Sequence, residues 1–388
     1  MLPSLPLAPS PLIQGFLIFG AVQSLFFAML FGVQKRRRAA DVIMALWLML
    51  LAFHIGTFYL VGSGWLVSSH WQAVQVSFLL VHGPFLWAYV RQQILPAGFW
   101  GRKDWLHFLP YMLVLAGVAM MEMEGRVLFL RGLALMGMIS GFAYIVAAWQ
   151  LLRRHQQEVP NRYSFIEQVS LEWLRRLVIG LLLLWSGGTV LGFASRFLAV
   201  DLPLTELFVF VPLFIFYLGY HGIRQEVIPG KIAGAPPDFS VSRQSEKTGR
   251  YQKSGLQTEQ MERISQRLRD GMGEGKWFLN STLSLQEVAT MTKLPPHHIT
   301  QALNEHLGLS FHDFVNQYRV AEFQRRVALP QNRHFSLLSI ALDCGFNSKS
   351  SFNRIFKQAT GLTPSAFVKM LSGSASGSHR DGTSQPEG

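Results

Sequence analysis

Apolar residues are concentrated in the first 220 or so positions, and this imbalance limits the possible folds more than any other feature of the sequence. There the chain is a succession of long apolar runs with few charges. A helix needs roughly 20 apolar residues to cross a hydrocarbon core of about 30 Å. Seven stretches have that character: 12–33, 42–60, 71–90, 105–121, 130–151, 177–193 and 204–220, the fourth being the shortest. The whole chain is 49% hydrophobic and only 15% charged, whereas soluble domains carry about 25% charged residues. That balance excludes a disordered chain and an ordinary soluble enzyme. Residues 1–222 are therefore expected to form a seven-helix transmembrane bundle.

The loops between these stretches set the orientation. Lys35, Arg36, Arg37 and Arg38 occupy the first loop, Arg91, Arg102 and Lys103 the third, and Arg153, Arg154, Arg162, Arg175 and Arg176 the fifth. The alternate loops hold only Arg126 and Arg196, with Arg131 just inside the fifth stretch. Lys and Arg collect on the cytoplasmic side. The bias puts the N-terminus outside and everything after the seventh stretch in the cytoplasm of a bacterial inner membrane. The first stretch is not read as a cleaved signal peptide, because its basic cluster follows the apolar run instead of preceding it. Trp65, Trp71, Trp87, Trp100 and Trp105 lie near the expected interfaces.

Polar groups inside a membrane are costly and often functional. His54, His82, Arg131 and Glu206 are candidates for an outward-facing sensor pocket; hydrogen bonding between helices is the plainer reading. His82 stands two residues before Pro84, which interrupts the helical ladder. The apolar half holds no serine nucleophile elbow or glycine-rich phosphate loop, and its one candidate metal-ligand pair on a helical face, His155 and Glu158, lies in an expected cytoplasmic loop, so no catalytic residue, metal or cofactor is expected. The single cysteine, Cys344, rules out an intrachain disulfide framework and is read as a small core residue. His297-His298 is not read as a metal site.

Residues 223–255 are rich in Pro, Gly, Ser and basic residues and read as a flexible cytoplasmic linker. The segment 256–371 changes to short amphipathic helices with turn signals, and 372–388 is a Ser/Gly-rich, disordered tail. Ser284-Leu285-Gln286-Glu287 is a capping box, flanked by Leu283 and Val288 as a hydrophobic staple. A helix to Thr292, a turn at Lys293-Leu294-Pro295, and a second helix from Pro296 closed by Gly308 make a helix-turn-helix. A longer helix over 310–328 carries two apolar stripes, Phe311/Phe314/Val315/Tyr318 and Val320/Phe323/Val327, suited to packing against two bodies. The first pattern then recurs: a short helix from Ser336, Gly345, a cap at Asn347-Ser348, and a helix from Lys349 that buries Phe352, Ile355 and Phe356. A last helix runs from Pro364 to Met370. From 310 to 370 there are eight Lys/Arg against three Asp/Glu.

Ile340-Ala341-Leu342-Asp343-Cys344-Gly345-Phe346, followed by Phe352, Phe356-Lys357, Gly361 and Thr363-Pro364, resembles the signature of the AraC/XylS family of bacterial transcription regulators. Tyr251-Gln252-Lys253-Ser254-Gly255-Leu256, Phe314-Val315-Asn316-Gln317-Tyr318-Arg319-Val320 and Asn347-Ser348-Lys349-Ser350 are similar to the subgroup that fuses this domain to a multi-helix membrane region. The resemblance implies two helix-turn-helix units, joined by one long helix, that read successive major-groove segments. It places His297, Thr300 and Gln301 on the first reading helix, and Lys349, Ser350, Asn353, Arg354 and Lys357 on the second. Lys293 departs from the family, whose first turn usually carries glycine.

The expected protein is thus all-α, a membrane-embedded one-component regulator that binds double-stranded promoter DNA. It would act as a homodimer in the lipid bilayer, in response to an unknown small-molecule or envelope signal passed on through dimer geometry or domain exposure. The alternatives are a transporter-like or enzyme-like membrane domain fused to a DNA-binding module, and a passive anchor regulated by a cytoplasmic partner. The net charge of +12 suits phosphate or an acidic membrane face.

Overall fold

In an apolar surrounding every backbone polar group must be bonded within its own segment, and a helix does this locally. The computed structural model describes residues 10–34, 38–67, 69–95, 102–120, 126–198, 209–225 and 258–377. Among these residues the regular elements are helices, and the only extended pairing is an isolated antiparallel bridge between Tyr163 and Ser284. The chain divides into two units.

The first unit comprises α1 (Pro11–Val33), α2 (Ala39–Gly62), α3 (Ser69–Ser77), α4 (Leu79–Ile94), α5 (Leu109–Met120), most of α6 (Arg126–Arg162), α7 (Glu172–Leu198) and α8 (Phe210–Arg224). Local chemistry sets the helix starts. The Ser10 hydroxyl accepts from the Ile13 amide at 3.4 Å, with Pro11 opening α1. Asp41 accepts from the Arg38 amide at 3.0 Å at the head of α2, and its carboxylate is almost fully buried against the Arg38 guanidinium. Among the described residues five helices are long and apolar enough to cross a membrane: Pro11–Val33, Ala39–Gly62, His70–Ile94, Phe129–Arg162 and Glu172–Ala194. The third of these is α3 and α4 in series, interrupted at Phe78 and carrying Pro84 within it. The expected stretch 105–121 begins instead as a 3-10 helix, Arg102–Phe108, and continues as the 12-residue α5. Alone α5 spans about 18 Å at 1.5 Å per residue. Much of the expected stretch 204–220 coincides with α8, while 204–208 lies outside the described residues.

Glycines let these helices approach closely. A Cβ on Gly219 would lie 2.5 Å from the Phe27 ring, and one on Gly137 would lie 2.6 Å from Leu79 Cβ. Small residues at helix contacts let the backbones come close enough to pack. The outward faces stay apolar: Leu12, Phe19, Leu183 and Phe216 are each more than half exposed.

The second unit does not begin at the linker. It combines the C-terminal helices with Gln156–Ser170, the end of α6 and the turn that follows it. This differs from the boundary expected near 222, and the reason is direct bonding. The Ser164 amide and hydroxyl both donate to the Leu283 carbonyl, at 3.1 and 2.8 Å. The turn ends at Leu171, whose φ of 53° lies in the left-handed region.

The C-terminal helices are α9 (Thr258–Gly273), α10 (Leu285–Thr292), α11 (Pro296–Gln301), α12 (Phe311–Val327), α13 (Leu337–Asp343), α14 (Lys349–Thr360) and α15 (Pro364–Gly377). A π-helical turn, Ala302–His306, extends α11. The last helix runs past Met370 to Gly377, into the part expected to be a tail. Two apolar cores lie along α12. Phe311, Phe314 and Val315 join Leu268, Phe278, Leu283, Val288 and Ile299 in one. Val320 and Phe323 join Ile340, Cys344, Phe352 and Phe356 in the other. The two stripes on α12 thus serve two bodies.

Candidate nucleic-acid interface

Each half of the C-terminal region is a pair of short helices with a capped entry. In the first, the Ser284 hydroxyl accepts from the Glu287 amide at 3.3 Å, and Glu287 Oε2 accepts from the Ser284 amide at 2.7 Å. Leu283 and Val288 are fully buried beside this box, as a staple requires. The turn after α10 passes through Lys293 at φ 56°, the left-handed conformation that glycine adopts without a Cβ penalty. The lysine therefore keeps the geometry of the glycine turn and bears its strain. In the second half, Ser336 and Ser348 accept from the Ser339 and Ser351 amides, each at 3.1 Å. Gly345 turns at φ 92°, and a Cβ there would lie 2.3 Å from the Phe278 carbonyl oxygen. Cys344 is buried in the second core, where burial pushes its thiol up to about 12. It is a packing residue.

The inner face of α14 is aromatic. The Phe352 and Phe356 rings lie 4.6 and 5.3 Å from Phe323, and Phe356 lies 5.4 Å from Phe367. With that face spent on packing, Lys349, Ser350, Asn353, Arg354 and Lys357 are all exposed and contiguous on the other. They comprise three cations and two short polar groups, and α14 has no acidic residue. Such a face offers phosphate contacts and base-edge readers together. It is not free of acid in space. Glu167 Oε2 accepts from the Ser348 hydroxyl at 2.9 Å and the Ser350 hydroxyl at 3.3 Å, and Glu167 Oε1 lies 3.9 Å from Arg354 Nε. No local pattern around position 167 signals this contact.

The helix expected to face DNA in the first unit is arranged differently from expectation. His297 is exposed and Thr300 half-buried, its hydroxyl donating to the Pro296 carbonyl at 3.1 Å. Gln301 is buried, and its amide donates to Glu305 Oε2 at 2.9 Å. It therefore does not share the outward face. The π-helical turn immediately beyond it exposes Asn304, Glu305 and His306, which sequence reading did not single out.

One more side chain organises the unit. Arg319 on α12 is fully buried. It donates to the carbonyls of Phe278 at 2.8 Å and Asn280 at 2.7 Å, and to Ser164 Oγ at 3.0 Å and Ser164 O at 3.3 Å. Burial lowers it to about 9, so it stays charged at neutral pH with neutral acceptors alone. Glu322, one turn on, is held down to about 2 by hydrogen bonds from Arg325 and Arg326.

Of the residues proposed for a sensor pocket, His54 and His82 meet, Nδ1 to Nε2 at 2.9 Å, and Trp47 Nε1 donates to His82 Nδ1 at 3.2 Å. Phe78 stacks on His54 at 4.6 Å. Arg131 is exposed, and Glu206 lies outside the described residues.

Two helix-turn-helix units sharing one long helix define the class of the C-terminal domain. Comparison with known proteins agrees: residues 288–370 match the family model described as a helix-turn-helix domain, which supports the AraC-type resemblance for this segment. The chain is 27% identical over 24% of its length to the regulatory protein PocR of Salmonella typhimurium, covering 30% of that protein. It is 30% identical over 24% of its length to an uncharacterized HTH-type transcriptional regulator, YpdC, of Escherichia coli, covering 31%. It is 27% identical over 23% to the probable transcription factor PqrA of Proteus vulgaris, covering 70%. The chain thus spans under a third of the first two relatives. No solved structure matches it.

Proposed function

We propose that this protein is a membrane-embedded transcription regulator whose C-terminal domain binds promoter DNA sequence-specifically. The observation that carries the reading is the face of α14, where Lys349, Ser350, Asn353, Arg354 and Lys357 stand together outside an aromatic core. Phosphate contacts from the lysines supply salt-dependent affinity, and Asn353 and Arg354 read base edges. His297 and Thr300 contribute on the first unit. The regulators among the similar proteins favour the same activity.

The apolar helices support the membrane part of the reading. In it, seven segments cross a bacterial inner membrane with the N-terminus outside, the chain works as a homodimer, and an envelope or small-molecule signal is sensed near His54 and His82. A tether raises the local concentration of paired DNA-binding domains. Genome-wide mapping of DNA bound to the tagged full chain tests the activity. Discrete sites that vanish in an Asn353→Ala/Arg354→Ala double variant are expected; recovery without preferred sites contradicts the reading. Membrane fractionation and C-terminal reporter fusions test the topology.

A further inference from the structure

The turn at 163–170 follows α6 in the apolar part of the sequence, yet it is built into the DNA-binding unit at two places. At one end Ser164, almost fully buried, bonds Leu283 and accepts from Arg319 and from Asn316 Nδ2 at 3.1 Å, while Tyr163 pairs with Ser284 and Phe165 is buried beside them. At the other end Glu167 reaches the first turn of α14. The segment is therefore a strap tied to the leading edge of the first helix-turn-helix unit and to the reading helix of the second.

The groups Glu167 engages are ones DNA would use: two hydroxyls at the N-terminus of α14, donors to a phosphate, and the Arg354 guanidinium, the reader of a base edge. A carboxylate and a phosphate oxygen cannot share these donors, and their like charges repel at this range. We propose that residues 163–170 form an autoinhibitory strap: with Glu167 seated, the corner of the reading face made by Ser350 and Arg354 is closed to DNA, and the second unit engages the groove once the strap lifts. The strap is continuous in the chain with α6 and α7. A rearrangement of those helices reaches the reading face through the strap, without passing through the linker at 223–255. The inference rests on the proposed DNA-binding role of α14 and adds to it the element that regulates that site.

The test uses the full chain in lipid nanodiscs and a duplex that this chain selects from a random-sequence pool. Glu167→Gln removes the competing carboxylate, and Phe165→Ala loosens the strap without changing charge. Both are expected to tighten binding, by about tenfold, within the range of intramolecular couplings. In a Glu167→Cys/Ser350→Cys variant, bridging the two thiols with a short bis-methanethiosulfonate, which leaves both cysteines oxidised, is expected to abolish binding, and reduction to raise it above the level of Ser350→Cys alone, because the carboxylate is gone. Tightening in Glu167→Gln alone, erased by added salt, reduces the effect to charge removal and overturns the strap. Unchanged or weaker binding in both single variants, or an oxidised pair that still binds, also overturns it and leaves the DNA-binding reading standing. Failure of every form to select any sequence overturns that reading, and the strap with it.

Discussion

Ser164 and Arg319 lie 155 positions apart, and the guanidinium donates to both the hydroxyl and the carbonyl of the serine, at 3.0 and 3.3 Å. The same guanidinium closes on Phe278 and Asn280, so one side chain joins α12, the approach to α10 and the turn after α6. Arg319→Ala removes the donor to the buried Phe278 carbonyl, to the Asn280 carbonyl and to Asn316 Oδ1, leaves Ser164 with only its Asn316 and Leu283 bonds, and is expected to cost about 3 kcal/mol or more. Arg319→Lys keeps a donor but lacks the planar fork, and should recover only part of that loss. Urea unfolding of the full chain, followed by hydrogen exchange in α12, measures both. Wild-type protection in Arg319→Ala would remove the arginine from this role.

Lys293 stands at φ 56° with its side chain exposed. An L-residue pays roughly 1–2 kcal/mol in left-handed backbone, and glycine avoids that at some cost in chain entropy. Lys293→Gly should therefore stabilise the C-terminal unit by about 0.5–1 kcal/mol, whereas Lys293→Ala should leave it near wild type. A rise of a few degrees in the thermal midpoint, seen with glycine alone, is the expected result.

The reading face predicts a division of labour. Arg354→Ala and Asn353→Ala should each cost about 1–3 kcal/mol and relax sequence choice at one position, while Lys357→Ala should weaken all sequences alike and lower the salt slope by about one. Gln301→Ala should leave base preference unchanged, because Gln301 is buried and its amide is bonded to Glu305. Competition binding with single-base variants separates these outcomes. A Gln301 variant that changes base preference would place that side chain in the groove.

Acid should loosen the end of α12. The Glu322 carboxyl is held near 2, below its ordinary 4.5, first by the hydrogen bond from Arg325 and further by Arg326. A carboxyl held low in the folded state contributes stability that is complete above the unfolded value and lost as the pH falls towards the folded one. The contribution, on the order of 1 kcal/mol for charge-assisted pairs whose arginines are partly exposed, is therefore present above about pH 4.5 and declines between there and about pH 2. Glu322→Gln should flatten this part of the pH–stability curve; an unaltered curve contradicts the assignment.

What could be read from the sequence is what short-range chemistry controls. The boundaries of α10, α12, α13 and α14 follow from Ser284, Ser310, Ser336 and Ser348 as caps and from Gly361 as a stop. The two stripes of α12 foretell its two cores, because helical spacing survives tertiary packing. Gln301 was harder to place. A helix of six residues followed by a π turn is too short for spacing to tell which flank is covered. The strap was invisible for a different reason. Ser164 and Glu167 sit in a short mixed turn with no periodicity, and their partners lie more than 100 positions away. Arg319 reads as an ordinary surface cation until those acceptors are brought to it.

Footprinting of the full chain in nanodiscs on its selected duplex tests the central claim most directly. Two helix-turn-helix units that share α12 should protect two major-groove segments about one helical turn, or roughly 10 base pairs, apart. Arg354→Ala should open one of them and leave the other. A single protected segment, or protection that Arg354→Ala does not alter, would contradict the account.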